Sequence, residues 1–429
     1  MRKMLRWLVL LAVTLVAAGC GLGKGQVPAP QVKAAVLTPQ AQVSVYLDGT
    51  LSMQGYANFP TDSGYAVALK SIEQALNVTW KESAVNYYRF GDETKPLSRA
   101  EFLQASTPGF YHDNETKLQD VIATLQPQRL NVLVTDLFQT DQDVQAVITA
   151  VNDRFLREHK MGALLGMTSR FNGRVYDIGN EGAQFPYQTT DDPASYRPFY
   201  FLVLGPQADV LAFVQAYRKI LPEQVPGRLL VYGEQLGAEG KLAAARADLP
   251  AGTRTFAATK SLVAGKGSYL QYLLKDHPGI FLLDYKLKLP YAMQVEKPEF
   301  VLEQLEFYQG GKFVETKVAG FATTSLVQAE SKALALNCRV RLDVDPSKLP
   351  ERGIYRARVA LRPSLSNYRQ AQQVFRDWDM DAEKLYTWNA GNFPGQTTFN
   401  VNKFTNNLAE VAYASLHPAF AVDWLYFKY

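Results

Sequence analysis

Between residues 43 and 232 the chain alternates short apolar runs with longer stretches whose apolar residues recur every three or four positions. The runs at 43–47, 84–90, 130–135, 162–167, 199–204 and 228–232 read as strands. The stretches at 64–76, 118–125, 141–156 and 208–220 read as helices. Val67, Leu69, Ile72 and Leu76 share one face of the first helix, and Val144, Val147, Ile148 and Val151 form the inner stripe of the third. Alternating strand and helix predicts an α/β fold with a mostly parallel sheet covered on both faces.

Further on the period changes to two. Leu334, Leu336, Cys338, Val340, Leu342 and Val344 alternate with polar or small residues, as do Leu283, Tyr285, Leu287 and Leu289, and Tyr355, Ala357, Val359 and Leu361. That is the pattern of half-buried strands, and Gly310 and Gly311 sit between two such runs as a hairpin turn would. We therefore expect an α/β domain over 43–236, a connecting segment over 237–278 rich in Ala, Gly and Lys, and an antiparallel β-sandwich over 279–429. An immunoglobulin-like sandwich is one form the last can take. No internal repeat is present.

The first residues differ from everything after them. Arg2, Lys3 and Arg6 precede an apolar run from Trp7 to Ala18, then Gly19 and Cys20. About a dozen apolar residues are too few for a lasting transmembrane helix, which needs roughly 20, so 1–19 reads as a signal peptide. Ala17, Ala18 and Gly19 before Cys20 resemble the lipobox of bacterial lipoproteins, which implies lipidation of Cys20 as the mature N-terminus. More than one acyl chain makes such anchoring stable. Gly21, not an aspartate, follows the cysteine, so the expected address is the outer membrane in a cell with two membranes and the outer face of the cell membrane otherwise. Residues 20–42, rich in Gly, Pro, Gln and Ala, read as a flexible tether.

If Cys20 is acylated, Cys338 has no intrachain partner, and the hydrophobic core must hold the fold without a disulfide. With 429 residues and 47% hydrophobic content the chain is long enough for that. Net charge is only +4, with Lys and Arg scattered. Without a basic stripe and interleaved aromatics, nucleic acid is not an expected partner.

The segment that carries chemistry follows the first strand: Asp48, Gly49, Thr50, Leu51, Ser52, Met53. It resembles the metal-ion-dependent adhesion site of von Willebrand factor A domains, whose motif is Asp-x-Ser-x-Ser. That family completes its site with a Thr at a helix start and an Asp at the end of a later strand. Thr116, just before the helix at 118–125, and Asp136, after the strand at 130–135, match those two. The resemblance covers about 42–236 and implies a Rossmann-like domain holding a divalent cation, Mg²⁺ foremost with Mn²⁺ and Ca²⁺ as substitutes, on Asp48, Thr50, Ser52, Thr116 and Asp136. It also implies a protein partner whose carboxylate completes the metal shell. Thr50 stands where the motif has Ser, and Leu51 and Leu137 stand where Gly is common. Thr107 is a second candidate for the Thr116 position, and Thr116, Asp113 and Asn114 are candidate helix caps.

The physical chemistry points the same way. In a parallel sheet the two strand ends bearing Asp48 and Asp136 lie along one edge, where open α/β sheets bind ligands. Hard cations take oxygen donors, and hydroxyls two residues apart, as at Thr50 and Ser52, can face one ion. An open coordination position suits binding rather than storage.

Enzymatic readings find less support. Asp48, Gly49 and Thr50 also resemble part of the haloacid dehalogenase phosphatase motif, but Tyr46 occupies the position of its nucleophilic Asp. His112, His159, His277 and His417 are scattered, and no Gly-x-Ser-x-Gly elbow or phosphate loop is present. Trp378, Tyr386, Trp388, Phe393, Trp424, Tyr426 and Phe427 are expected to fill a sandwich core rather than to form a carbohydrate platform. The expected function is metal-dependent binding of a protein partner, without enzymatic activity. The alternative is an envelope scaffold or assembly factor whose α/β domain works without metal.

Overall fold

The computed structural model describes residues 26–29, 37–59, 63–137, 141–176, 184–222, 225, 227–244, 254–260, 262–264, 269–289, 295, 297–332, 334–380, 388–389 and 392–429. The signal peptide at 1–19 and Cys20 lie outside them.

The first sheet is built around β1 (Ala41–Asp48). It pairs in parallel with β2 (Ser83–Phe90) on one side, and β3 (Lys95–Leu97) adds an antiparallel edge to β2. On its other side β1 pairs in parallel with β4 (Leu130–Thr135). Beyond β4 come β5 (Met161–Ser169), the ribbon of β6 (Asn172–Tyr176) and β7 (Gln184–Gln188), β8 (Arg197–Gly205) and β9 (Arg228–Tyr232). The sheet order is β3-β2-β1-β4-β8-β5-β9. Every residue of β4 and β8 is buried, so both sheet faces are covered.

The expected α/β class holds, but the sheet is mixed rather than mostly parallel. Pairing is parallel only across β2-β1-β4, while β4–β8, β8–β5 and β5–β9 are antiparallel. The cause lies between β5 and β8, where the β6–β7 ribbon replaces a crossover helix. A strand that returns without a crossover must run antiparallel to its neighbour.

The helices in this half are α1 (Leu51–Ala57), α2 (Gly64–Thr79), α3 (Arg99–Leu103), α4 (Leu118–Thr124), α5 (Asp141–Arg154) and α6 (Gln207–Ile220). Apolar stripes at helical spacing bind α2 to α6 and α4 to α5. At the first of these contacts the Tyr217 hydroxyl donates to the Ala68 carbonyl at 2.9 Å.

In the second half β10 (Glu239–Ala244), β11 (Ala257–Ala258), β12 (Leu270–Leu273), β13 (Gly279–Lys288), β14 (Glu299–Gln309), β15 (Lys312–Glu315), β16 (Ala322–Lys332), β17 (Ala335–Val344), β18 (Ile354–Arg362) and β19 (Ala421–Lys428) form two sheets. Their orders are β10-β13-β17-β16 and β11-β12-β19-β18-β14-β15. The sheets meet through Phe281 of β13, whose ring lies 4.3 Å from Tyr272 and 5.5 Å from Phe427 of the other sheet. Gly310 and Gly311, both at positive φ, close the two-residue turn from β14 to β15.

Three sequence boundaries change. The connecting segment 237–278 contributes β10, β11 and β12, short strands with too few residues to show a period. β12 pairs in parallel with β19, so the second half is not wholly antiparallel, and its sheets of four and six strands differ from a seven-stranded immunoglobulin-like pattern. Between β18 and β19 the chain leaves the sandwich as α7 (Leu365–Ala371), a 3₁₀ helix (Gln372–Trp378) and α8 (Val401–Leu416), which pack on the α/β domain. Trp378 and Phe393 go with it: Trp378 lies against Tyr200 and Phe393 stacks on Phe185, while Tyr426 and Phe427 stay in the sandwich. Tyr386 lies outside the described residues.

The tether is also shorter than 20–42. Val27 is fully buried against Leu262, Val263 and Tyr426, and its backbone pairs with Leu262 and Ala264. Thr38 binds the Asp209 carboxylate through its amide and its hydroxyl. One apolar side chain in a polar stretch suffices to dock it, because hiding a valine is worth roughly 1.5–3 kcal/mol.

Candidate metal centre

Asp48 is the last residue of β1 and is fully buried. Its carboxylate gathers hydroxyls from three separate stretches. Oδ1 accepts from the Thr50 amide at 3.1 Å and the Thr50 hydroxyl at 2.6 Å. Oδ2 accepts from Thr135 at 2.8 Å and Thr116 at 3.3 Å. The Thr50 hydroxyl lies 3.1 Å from Ser52 Oγ and 3.3 Å from Thr116 Oγ1. Asp48, Thr50, Ser52 and Thr116 thus meet at the carboxyl edge of β1 and β4.

Local sequence explains the convergence. Thr50 stands just before α1, which turns the chain so that Ser52 follows in its first turn. Gly49 is required by close approach, since a Cβ there would lie 2.6 Å from Arg89 Cγ and 2.8 Å from Asp113 Oδ2. The Gly49 carbonyl accepts from the amides of His112 and Asp113, and the Leu51 amide donates to the Asp113 carbonyl, so the loop carrying Thr116 is stitched to the loop carrying Thr50. Asp113 is no helix cap; it is buried and paired with Arg89 at 3.2 Å. Lys117 holds the cap position of α4 with no side-chain capping bond, which leaves the Thr116 hydroxyl for Asp48. Asn114 instead binds Asp92, and Thr107 turns back to the Gln104 carbonyl. Leu51 needs no special backbone. Leu137 sits at φ 51°, the left-handed region that glycine favours, so the loop keeps that conformation at a cost of about 1–2 kcal/mol.

Asp48 feels the charge of Asp136, which is buried just after β4. Asp136 Oδ2 lies 3.5 Å from Nη2 of Arg197, the first residue of β8, whose side chain is fully buried. Arg197 Nη1 donates to the carbonyls of Gly395 at 2.9 Å and Thr397 at 3.1 Å, and the guanidinium lies 5.3 Å from the centre of the Phe171 ring. Sequence reasoning missed both Arg197 and Thr135. Thr135 was visible as a hydroxyl at a strand end; Arg197 carried no local signal.

No family model, curated protein or solved structure matches this chain. What the site can do rests on its own atoms. Among the described residues no three His, Cys, Asp or Glu side chains gather in one place. The candidate donors are hard oxygens, mostly hydroxyls, of the type Mg²⁺ takes. An octahedral shell with bonds of about 2.1 Å places neighbouring oxygens about 3 Å apart. The separations of 3.1 and 3.3 Å among Thr50, Ser52 and Thr116 fit that requirement.

Electrostatics reinforce the fit. Burial first, and then the neighbouring Asp136, push the Asp48 carboxyl up to about 7, against the lowering effect of hydrogen bonds from Thr50 and Thr135. A pocket that strains to keep two carboxylates charged favours a cation that relieves the repulsion. Without cation, a carboxyl whose pKa is higher in the folded state holds its extra proton only when folded. Its contribution to stability is complete below the ordinary carboxylate range and is lost as pH rises through about 7. In chelator, the melting temperature of the wild type should therefore fall by about 5 °C more than that of Asp48→Asn between about pH 5 and about pH 8. Equal slopes for the two proteins, measured by calorimetry, would contradict this assignment.

Proposed function

We propose that this chain is a lipid-anchored extracytoplasmic protein whose first domain, similar to a von Willebrand factor A domain, binds a divalent cation and through it a protein partner. The observation that carries the reading is the meeting of Asp48, Thr50, Ser52 and Thr116 oxygens at one sheet edge, with Asp136 beside them. Those four residues would hold the ion, with Asp136 acting directly or through water. The ion would supply an electrophilic centre for an oxygen ligand.

The charges suggest what completes the site. Two carboxylates and one guanidinium leave a single negative charge. A divalent cation turns that into a single positive charge, which a carboxylate from a partner offsets. Such a ligand combines charge with hard oxygen donors. The expected role is adhesion, assembly or complex formation in the cell envelope, and no chemical transformation is proposed.

The ion pair between Arg197 and Asp136 favours a second reading, a scaffold whose arginine already supplies the countercharge and which binds its partner without metal. Capture of partners from detergent-solubilised envelopes separates the two. Under the cation reading a partner retained by the wild type disappears both with chelator and with Asp48→Asn. Identical retention in all three samples supports the scaffold.

A further inference from the structure

Arg197 touches two parts of the molecule that are far apart in sequence. One arm of its guanidinium faces Asp136 at the candidate cation site. The other donates to the carbonyls of Gly395 and Thr397, which lie in the stretch leading into α8 from the second half of the chain. That stretch has further holds on the α/β domain. The Tyr200 hydroxyl donates to Thr398 Oγ1 at 3.1 Å and Phe393 stacks on Phe185 at 4.9 Å, while the Thr398 amide donates at 2.7 Å to the carbonyl of Trp378 in the same excursion, whose ring in turn lies against Tyr200. Gly395 passes so close to the Tyr187 ring that a Cβ would lie 2.2 Å from it.

We propose that Arg197 couples the cation site to this docked stretch: the carbonyls of Gly395 and Thr397 hold its guanidinium against Asp136, docking thereby weakens cation binding, and cation binding loosens docking. The proposal rests on the cation reading of the site and makes Arg197 a positioning residue, not a ligand.

The sign follows from Coulomb's law. A guanidinium and a divalent cation compete for the same Asp136 carboxylate, and they repel one another in a buried setting where water screens little. Whatever presses the guanidinium towards Asp136 disfavours the cation. By linkage the effect is reciprocal, so the cation must disfavour the pressing contact by the same factor. The second half of the chain thereby gains a means of sensing whether the site is filled.

Mn²⁺ affinity of the full-length, detergent-solubilised protein tests this, measured by electron paramagnetic resonance of free Mn²⁺ for the wild type, Arg197→Met, Arg197→Lys and Asp48→Asn. Removing the charge should tighten Mn²⁺ binding about tenfold or more. Arg197→Lys, which keeps the charge, should stay near wild type; a purely structural role would leave both variants equally impaired. In parallel, hydrogen exchange at the Thr398 amide of the wild type should speed up when Mn²⁺ is added. That arm needs no substitution and decides the matter if Arg197→Met does not fold. Wild-type binding that is lost in Asp48→Asn, but with neither tighter binding in Arg197→Met nor faster exchange at Thr398, overturns the coupling alone. Absence of any Asp48-dependent Mn²⁺ binding overturns the cation reading and this proposal with it.

Discussion

Saturating Mg²⁺ or Mn²⁺ should raise the melting temperature of the wild-type protein by about 5 °C, and should leave Asp48→Asn where chelator leaves it. A ligand at about 100 times its Kd, bound only by the folded state, stabilises by roughly 2.7 kcal/mol. A protein of this length converts that into a shift of a few degrees. Asparagine is the informative substitution. It keeps one acceptor oxygen for Thr50 and sets an NH₂ towards Thr116 and Thr135, whose hydroxyls can turn to accept from it, so the loops at the sheet edge stay together, but it removes the charge that the cation needs. Alanine would leave those buried donors unpaired, at about 1–3 kcal/mol each, and would mix a folding defect with a binding defect. A cation response that survives in Asp48→Asn would mean that the stabilising ion binds elsewhere.

If Cys20 carries the proposed lipid anchor, Cys20→Ser should move the protein from the membrane fraction to the soluble fraction. No described helix is long and apolar enough to cross a membrane. If lipid on Cys20 holds the chain, docking of Val27 has a geometric consequence. Val27 is seven positions after Cys20, and a fully extended chain covers at most about 3.6 Å per residue, so the two lie within roughly 25 Å of one another. With such an anchor, the part of the sandwich bearing Leu262, Val263 and Tyr426 would stand within about that distance of the bilayer surface, whereas a tether over 20–42 would leave it no fixed distance. Membrane fractionation with an antibody to the chain reads the result. Retention of Cys20→Ser in the membrane fraction, resistant to salt, would exclude this anchor.

How much of this was legible in the sequence depends on whether the cause was local. β1, β4 and β17 announce themselves through unbroken apolar runs or strict alternation, since each buries a face defined by its own residues. Asp48, Thr50 and Ser52 are near neighbours, and two strand ends on one edge bring Asp136 within electrostatic range. The antiparallel placement of β8 was hidden, because the β6–β7 ribbon that dictates it carries no strong period. α8 was readable in principle: Val401, Phe404, Leu408 and Ala412 are buried at helical spacing. Strands precede and follow them, so the pattern alone assigns them to a sandwich. Arg197 could not be found locally, for its acceptors lie 198 and 200 positions further along the chain. Asp113 looked like a cap and proved to be the buried partner of Arg89, a role set by close packing against Gly49 and Gly91.

Anomalous diffraction from crystals grown with Mn²⁺ tests the central claim most directly. The account predicts one strong peak within bonding distance of Asp48, Thr50, Ser52 and Thr116 oxygens, absent from crystals of Asp48→Asn. A clean map at that edge, with Arg197 still against Asp136 and the hydroxyls still donating to Asp48 at saturating Mn²⁺, would contradict it.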